Sequence, residues 1–388
     1  MLLSLLQNHI KRGSLQLRMP DGSLHTFGQG EPHAEWQLNS EETVRRLMRD
    51  AEFELGETYM RGGWDAGMGG VRGLLDLLRS NFSPTDAARW LKPVVGAAQQ
   101  FNRIRNSYRN VAAHYDVPEM VFRRFLDPEM FYSCAYFSRD AMSLEEAQQA
   151  KAQHIARKLL IQPGDRILDI GCGWGSMAFH LAREYDCEVV GITLSQEQLA
   201  VARHEKERRD AHRVHFELAD YREHKGRYDR IVSVGMFEHV GRPFYDVYFD
   251  KVQELLRPQG VALIHTIGRS GAAGLTNPWI RKYIFPGGST PSLSQISAAV
   301  ESSTLQLCDV EVWRLHYATT LQHWYERFQS NRAEVVGELG EMFCRKWEFY
   351  LAACEASFRH SNLVVFQLQL AHGHGAVPIS RDYLYPSP

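Results

Sequence analysis

The sequence has no C-x-x-C pair; its six cysteines stand apart at 134, 172, 187, 308, 344 and 354. That spacing excludes a zinc ribbon or a dithiol redox motif and predicts reduced thiols in the cytosol. No metal site is expected, since His372 and His374 near the end lack a third ligand. No apolar run approaches the ~18 residues that a membrane-spanning helix needs. Met1 to Leu6 is apolar but has no basic region before it and no cleavage site after it, so no signal peptide is expected. Leu2, Leu3, Leu5, Leu6 and Ile10 instead predict one face of a first helix. Charge of one sign is also missing: the net charge is -2, which argues against a nucleic-acid partner. There is no internal repeat and no low-complexity stretch. What is left is a 388-residue chain, 44% hydrophobic and 23% charged, of ordinary globular composition and long enough for two domains.

The most informative stretch runs Arg166-Ile167-Leu168-Asp169-Ile170-Gly171-Cys172-Gly173-Trp174-Gly175. A short apolar strand ends at an acidic residue and turns through three alternating glycines. A helical pattern follows at once in Met177, Ala178, Leu181 and Ala182. A lone G-x-G-x-G is a weak signal, but here strand, loop and helix agree, as in nucleotide-binding βαβ units. The spacing is not G-x-G-x-x-G, and the next strand, 188–193, ends in Thr193 rather than the acid that would grip an NAD ribose. Both details favour S-adenosylmethionine over a dinucleotide. Ser195-x-x-Gln198 also reads as a capping box opening the next helix.

Along the chain, residues 1–90 predict a small α+β unit. A hairpin is expected over 15–27, then a helix from Asn39 or Ser40 running into Gly56, with Arg45, Arg46 and Arg49 on its outer face. Residues 91–120 are expected to be a helical linker, and 121–388 the main domain. Tyr132 to Phe137 is aromatic-rich without a clean period and reads as core packing or as a site. Ser143-Leu144-Glu145-Glu146 is a capping box. Strands at 166–170, 188–193, 213–218, 228–234 and 260–267 alternate with helices, the α/β rhythm of a parallel sheet. Glu238, in the loop after the fourth strand, and His265, at the end of the fifth, lie where open parallel sheets bind ligands. Position alone leaves Glu238 open between a chemical role and a surface carboxylate. Residues 269–300 break the rhythm with aromatics and two cations, suiting a lid against lipid headgroups or a dimer contact.

These residues carry a family resemblance. Tyr132 to Phe137, Leu168 to Gly175, Arg230 to Gly241, His265 to Gly268, Pro278 to Pro286 and Thr319 to Phe328 resemble the bacterial cyclopropane-fatty-acyl-phospholipid synthases, and more distantly the mycolic acid cyclopropane synthases. The resemblance covers about residues 110–372 and is only general over 1–90. It implies a Rossmann-like, seven-stranded S-adenosylmethionine-dependent methyltransferase fold with a small N-terminal domain. It also implies methylene transfer to the cis double bond of phospholipid acyl chains, through a carbocation deprotonated by bound bicarbonate; a related lipid C-methyltransferase is the alternative. Carried over residue by residue, Glu238, His265, Tyr317, Cys134 and Ile267 would hold bicarbonate, the last two mainly through backbone groups. Cys354 matches a position counted as active-site, read here as a pocket residue. Tyr132, Ser133, Gly171, Gly173, Thr193, Ser195, Gln198, Asp220 and Tyr221 would bind the cofactor. Membrane phospholipids are the implied partner, with reversible attachment to the inner membrane face from the cytoplasm, and a homodimer is expected.

Overall fold

The computed structural model describes residues 1–82, 117–274 and 276–385; most of the expected linker, 91–116, lies outside the described residues. The chain divides into two compact units. The first gathers three separate segments, 1–95, 277–284 and 317–363; the second takes 96–276, 285–316 and 364–388. The segments 277–284 and 317–363, which sequence order joins to the main domain, therefore group with the N-terminal residues.

In the first unit a four-stranded sheet runs in the order β2-β1-β3-β4, with β1 Gly13–Arg18, β2 Leu24–Gln29, β3 His33–Leu38 and β4 Trp64–Ala66. β1 pairs antiparallel with β2 and parallel with β3. Leu15 and Leu17 of β1 and Ala34, Trp36 and Leu38 of β3 are buried, the period-2 pattern of a sheet covered on one face. The helix expected from residue 40 is two helices, Glu41–Arg49 and Ala51–Met60. The break falls at Asp50, whose carboxylate accepts from Phe53 N at 3.3 Å and caps the second helix. Gly56 is not a stop but sits inside that helix. A Cβ there would lie 2.7 Å from the rings of Trp279 and Phe349, so glycine admits a close approach. Trp279 is fully buried. Of the expected basic face, Arg46 and Arg49 are committed to the buried Glu54, at 2.7 and 3.1 Å. Helix Glu341–His360 packs on Gly70–Asn81 and Ala51–Met60. Arg72 forks onto Glu355 at 2.7 and 2.9 Å, and Arg345 reaches Tyr59 O, Trp64 O and Asp65.

The second unit is built on a seven-stranded sheet of order β10-β11-β9-β8-β5-β6-β7. Its strands are β5 Arg166–Ile170, β6 Glu188–Thr193, β7 Val214–Leu218, β8 Tyr228–Val234, β9 Leu256–Arg269, β10 Gln306–Trp313 and β11 Leu363–Ala371. β5 to β9 are parallel, and β10 pairs antiparallel with β11. Apolar clusters form on the sheet, one taking in helices Tyr245–Leu255 and Leu293–Glu301, the other Leu144–Leu159, Ser176–Glu184 and Gln196–Arg208. This explains the near-continuous apolar runs of the central strands. Complete capping boxes at Ser143 and Ser292 start two of these helices. Strand order turns at β5 and β8, the switch point where the site is expected.

Candidate active site

The switch-point cavity is lined by the β5 loop (Gly171, Cys172, Gly173, Trp174), by Tyr132 and Ser133, and by groups at the ends of β6, β7 and β8. The loop is held tightly: Gly171 N and Cys172 N both donate to Ile192 O, at 2.9 and 3.0 Å. Gly171 has φ 84°, and a Cβ there would stand 2.8 Å from Met236. Gly173 also has positive φ, 56°, but a Cβ there meets only Gln198 Nε2 at 3.8 Å, so this side of the loop opens into the cavity. Thr193 Oγ1 donates to Gln198 Oε1 at 3.1 Å and accepts from Ser195 N at 3.2 Å. Only half of the expected capping box therefore forms. Ser195 Oγ accepts from Gln198 N, but the Gln198 side chain turns to Thr193.

On the sheet edge, Glu238 sits buried in a one-turn 3-10 segment after β8. Its Oε1 accepts from Ile267 N at 2.6 Å, while Oε2 is buried without a hydrogen-bond partner among the described residues. Burial pushes its carboxyl up to about 7, against the pull of the Ile267 amide. His265 is buried too, its ring edge-on to Trp313 and its Nδ1 3.1 Å from the Gln367 amide. Burial and the nearby Lys151 and Lys158 hold its pKa well below the usual imidazole value. The carboxyl thus follows β8 and the imidazole lies on the neighbouring strand β9, the first easily neutral and the second held neutral.

Residues 102–368 match the family of mycolic acid cyclopropane synthetases. The chain belongs to this family. It is 39% identical over 356 residues to the cyclopropane-fatty-acyl-phospholipid synthase of Escherichia coli, covering 89% of each chain. It is 35% identical to the tuberculostearic acid methyltransferase of Mycobacterium tuberculosis, over 84% of this chain and 80% of that one. Among solved structures it resembles a mycolic acid cyclopropane synthase complexed with SAH and CTAB, at 36% identity and TM-score 0.64, over 68% of this chain and 97% of that one. A coclaurine N-methyltransferase, 22% identical with TM-score 0.65 over 82% of this chain and 99% of that one, shares the fold. The seven-stranded sheet is therefore that of an S-adenosylmethionine-dependent methyltransferase, and the glycine loop suits that cofactor.

The cavity of this cyclopropane-synthase relative brings together Tyr132, Ser133, Gly171, Gly173, Thr193, Gln198, Asp220 and Tyr221. Ser195 is buried as a helix cap and does not line it. The Asp220 carboxylate is gripped by Arg222 at 2.8 and 2.6 Å, a cavity residue that sequence reasoning passed over. Glu238 and Ile267 touch directly, so the Ile267 N–H, a backbone group expected to hold bicarbonate, is engaged by the Glu238 carboxylate. Cys134 is fully buried, with its thiol on Ala135 O at 3.4 Å. Tyr317 and Cys354 belong to the first unit, where the Tyr317 ring packs on Trp324 and Phe358. Burial pushes the Cys354 thiol up to about 12, so it stays protonated. Tyr136 stacks on His154, Trp313 and His316.

Proposed function

We propose that the chain transfers a methylene group from S-adenosylmethionine to the cis double bond of unsaturated phospholipid acyl chains. The alkene electrons displace the sulfonium sulfur to form a C–C bond, the new methyl group loses a proton, and the ring closes, releasing S-adenosylhomocysteine. Bicarbonate, when bound, supplies the proton acceptor. The observation that carries this reading is the Glu238 carboxyl: buried, fixed through one oxygen by Ile267 N, and with its second oxygen unpartnered among the described residues. Near neutrality such a group can donate one hydrogen bond to an anion, which a fully ionised carboxylate would repel. His265, held neutral by burial, supplies a second polar edge without adding charge. By resemblance Cys134 and Tyr317 complete the set; on this reading Ile267 acts chiefly by fixing Glu238. A buried site of this kind keeps water from trapping the carbocation as an alcohol.

The methyltransferase relative favours a second reading, transfer that stops at a methyl- or methylene-branched chain. Lipid analysis after expression in a host without cyclopropane lipids separates the two. Cyclopropane products are one CH₂ heavier and resist hydrogenation, whereas methylene-branched products of equal mass take up hydrogen. The proposal carries with it reversible attachment to the inner membrane face from the cytoplasm, and a homodimer. Among the described residues no helix is long and apolar enough to cross a membrane. Vesicle flotation and sedimentation check attachment and assembly, and a protein that ignores vesicles would point to a soluble acyl carrier.

A further inference from the structure

One buried basic group has no part in the reading above. Lys151, on helix Leu144–Leu159, is fully buried, yet it lines the cavity. Its Nζ donates to Ser133 Oγ at 2.8 Å and stands 3.9 Å from the centre of the Phe131 ring. One turn earlier Gln148 Nε2 donates to the carbonyls of Phe131 and Ser133, at 3.3 and 3.0 Å. Residues three apart share a helix face, so both side chains reach the same loop. Asp127 and Asp169 face Lys151 as through-space counter-charges. Asp169 Oδ2 is buried with no hydrogen-bond partner among the described residues, and Asp169 belongs to the same cavity wall.

An ammonium has three donors and no acceptor, so in the Lys151–Ser133 bond the hydroxyl oxygen must accept. The hydroxyl's own hydrogen is thereby freed for a different acceptor, and Ser133 borders the cavity. Burial pulls the Lys151 pKa down while Asp127 and Asp169 pull it back up; in its charged form the ammonium makes that hydroxyl a stronger donor and favours an anionic acceptor. Asp169, acceptor-only when ionised, would repel such an anion and suits a cation. The wall thus fits the two ends of an α-amino acid. We propose that Lys151 is a positioning residue that fixes the Ser133 hydroxyl as a donor to the α-carboxylate at the methionine end of the cofactor. The proposal rests on the cavity being the S-adenosylmethionine site.

Calorimetry with S-adenosylhomocysteine and with decarboxylated S-adenosylmethionine tests it. The second compound keeps the adenosine and the ammonium but has no carboxylate. Lys151→Met should weaken S-adenosylhomocysteine about 10- to 100-fold, as loss of a charge-assisted hydrogen bond does, and change the decarboxylated compound less than about threefold. Ser133→Ala, which leaves the buried lysine in place, should show the same selectivity. The double variant should bind S-adenosylhomocysteine about as well as Lys151→Met alone, because both act through one contact. Equal loss for both compounds in Ser133→Ala, or additive loss in the double variant, would overturn the proposal. Undiminished S-adenosylhomocysteine binding by Lys151→Met would do so too. A wild-type protein that binds neither compound would overturn the cofactor reading itself.

Discussion

Replacing Glu238 by Gln tests the state of the buried carboxyl directly. Gln Oε1 can still accept from Ile267 N, so the loop keeps its anchor while the titratable group disappears. In the folded protein Glu238 titrates near 7 rather than near 4.5, because burial disfavours its charge. The sign follows: the folded state binds this proton more tightly than the unfolded state does. Wild-type stability is thus unpenalised below about pH 4.5, falls as pH rises through the window from 4.5 to 7, and carries the full penalty above 7. The gap corresponds to about 3 kcal/mol as an upper figure. Glu238→Gln has no such window. Its urea midpoint should match wild type near pH 4 and exceed it at pH 8 by the equivalent of about 1–3 kcal/mol. Other titrating groups are common to both proteins and cancel in the difference. A wild-type-to-variant gap that is the same at pH 4 and pH 8 would refute the buried neutral carboxyl and, with it, the anion site built on it. Glu238→Ala, which removes the donor as well, should lower activity about 10²- to 10³-fold while S-adenosylmethionine affinity stays within a few-fold. Added bicarbonate should restore part of it by mass action.

Gly173→Val should abolish S-adenosylmethionine binding in calorimetry while costing the apo fold only about 1–2 kcal/mol for the left-handed backbone, since a Cβ there finds room only in the cavity; unchanged affinity would contradict the cofactor assignment. Cys354→Ser should keep turnover within about threefold, because a thiol that titrates near 12 offers no thiolate; a loss beyond tenfold would give the sulfur a chemical role. Gly56→Ala should lower the melting temperature by the equivalent of about 1–3 kcal/mol, since the added methyl meets Trp279 and Phe349 at 2.7 Å. A stabilised Gly56→Ala protein would mean that helix propensity outweighs the packing.

Local chemistry made much of the second unit legible. Ser143 caps its helix through a side chain only three residues away, and the apolar runs of β5, β6 and β8 announce a sheet buried on both faces. Legibility failed where a competing contact intervened. The Ser195–Gln198 box is half formed because the Thr193 hydroxyl captures the glutamine. Gly56 looked like a stop because its reason, the Trp279 ring, lies more than two hundred residues away. β3 was passed over because His33, Glu35 and Gln37 dilute its alternation, and β4 because three residues are too few to show a period. In the site, Glu238 and His265 were legible from position at the sheet edge. Lys151 was not, since a lysine on a helix is usually solvated. Its signal was its place with Gln148, Ile155 and Lys158 on one stripe of helix Leu144–Leu159, where each is buried.

The first unit is stitched from segments that the chain visits far apart, and several of its buried or half-buried polar contacts join the earliest residues to late ones: Arg72 with Glu355, Tyr59 with Glu348, Arg345 with the carbonyls of Tyr59 and Trp64. Sequence order therefore misleads about what is separable. Cutting the chain between 82 and 117 would not release a free N-terminal module. The two pieces would be held as a non-covalent complex through the bed that residues 51–81 provide for helix Glu341–His360. A chain begun at residue 117 would instead present the buried Glu348 and Phe349 without part of their cover. The N-terminal residues act, in that sense, less as an appendage than as the missing half of a late helix's core.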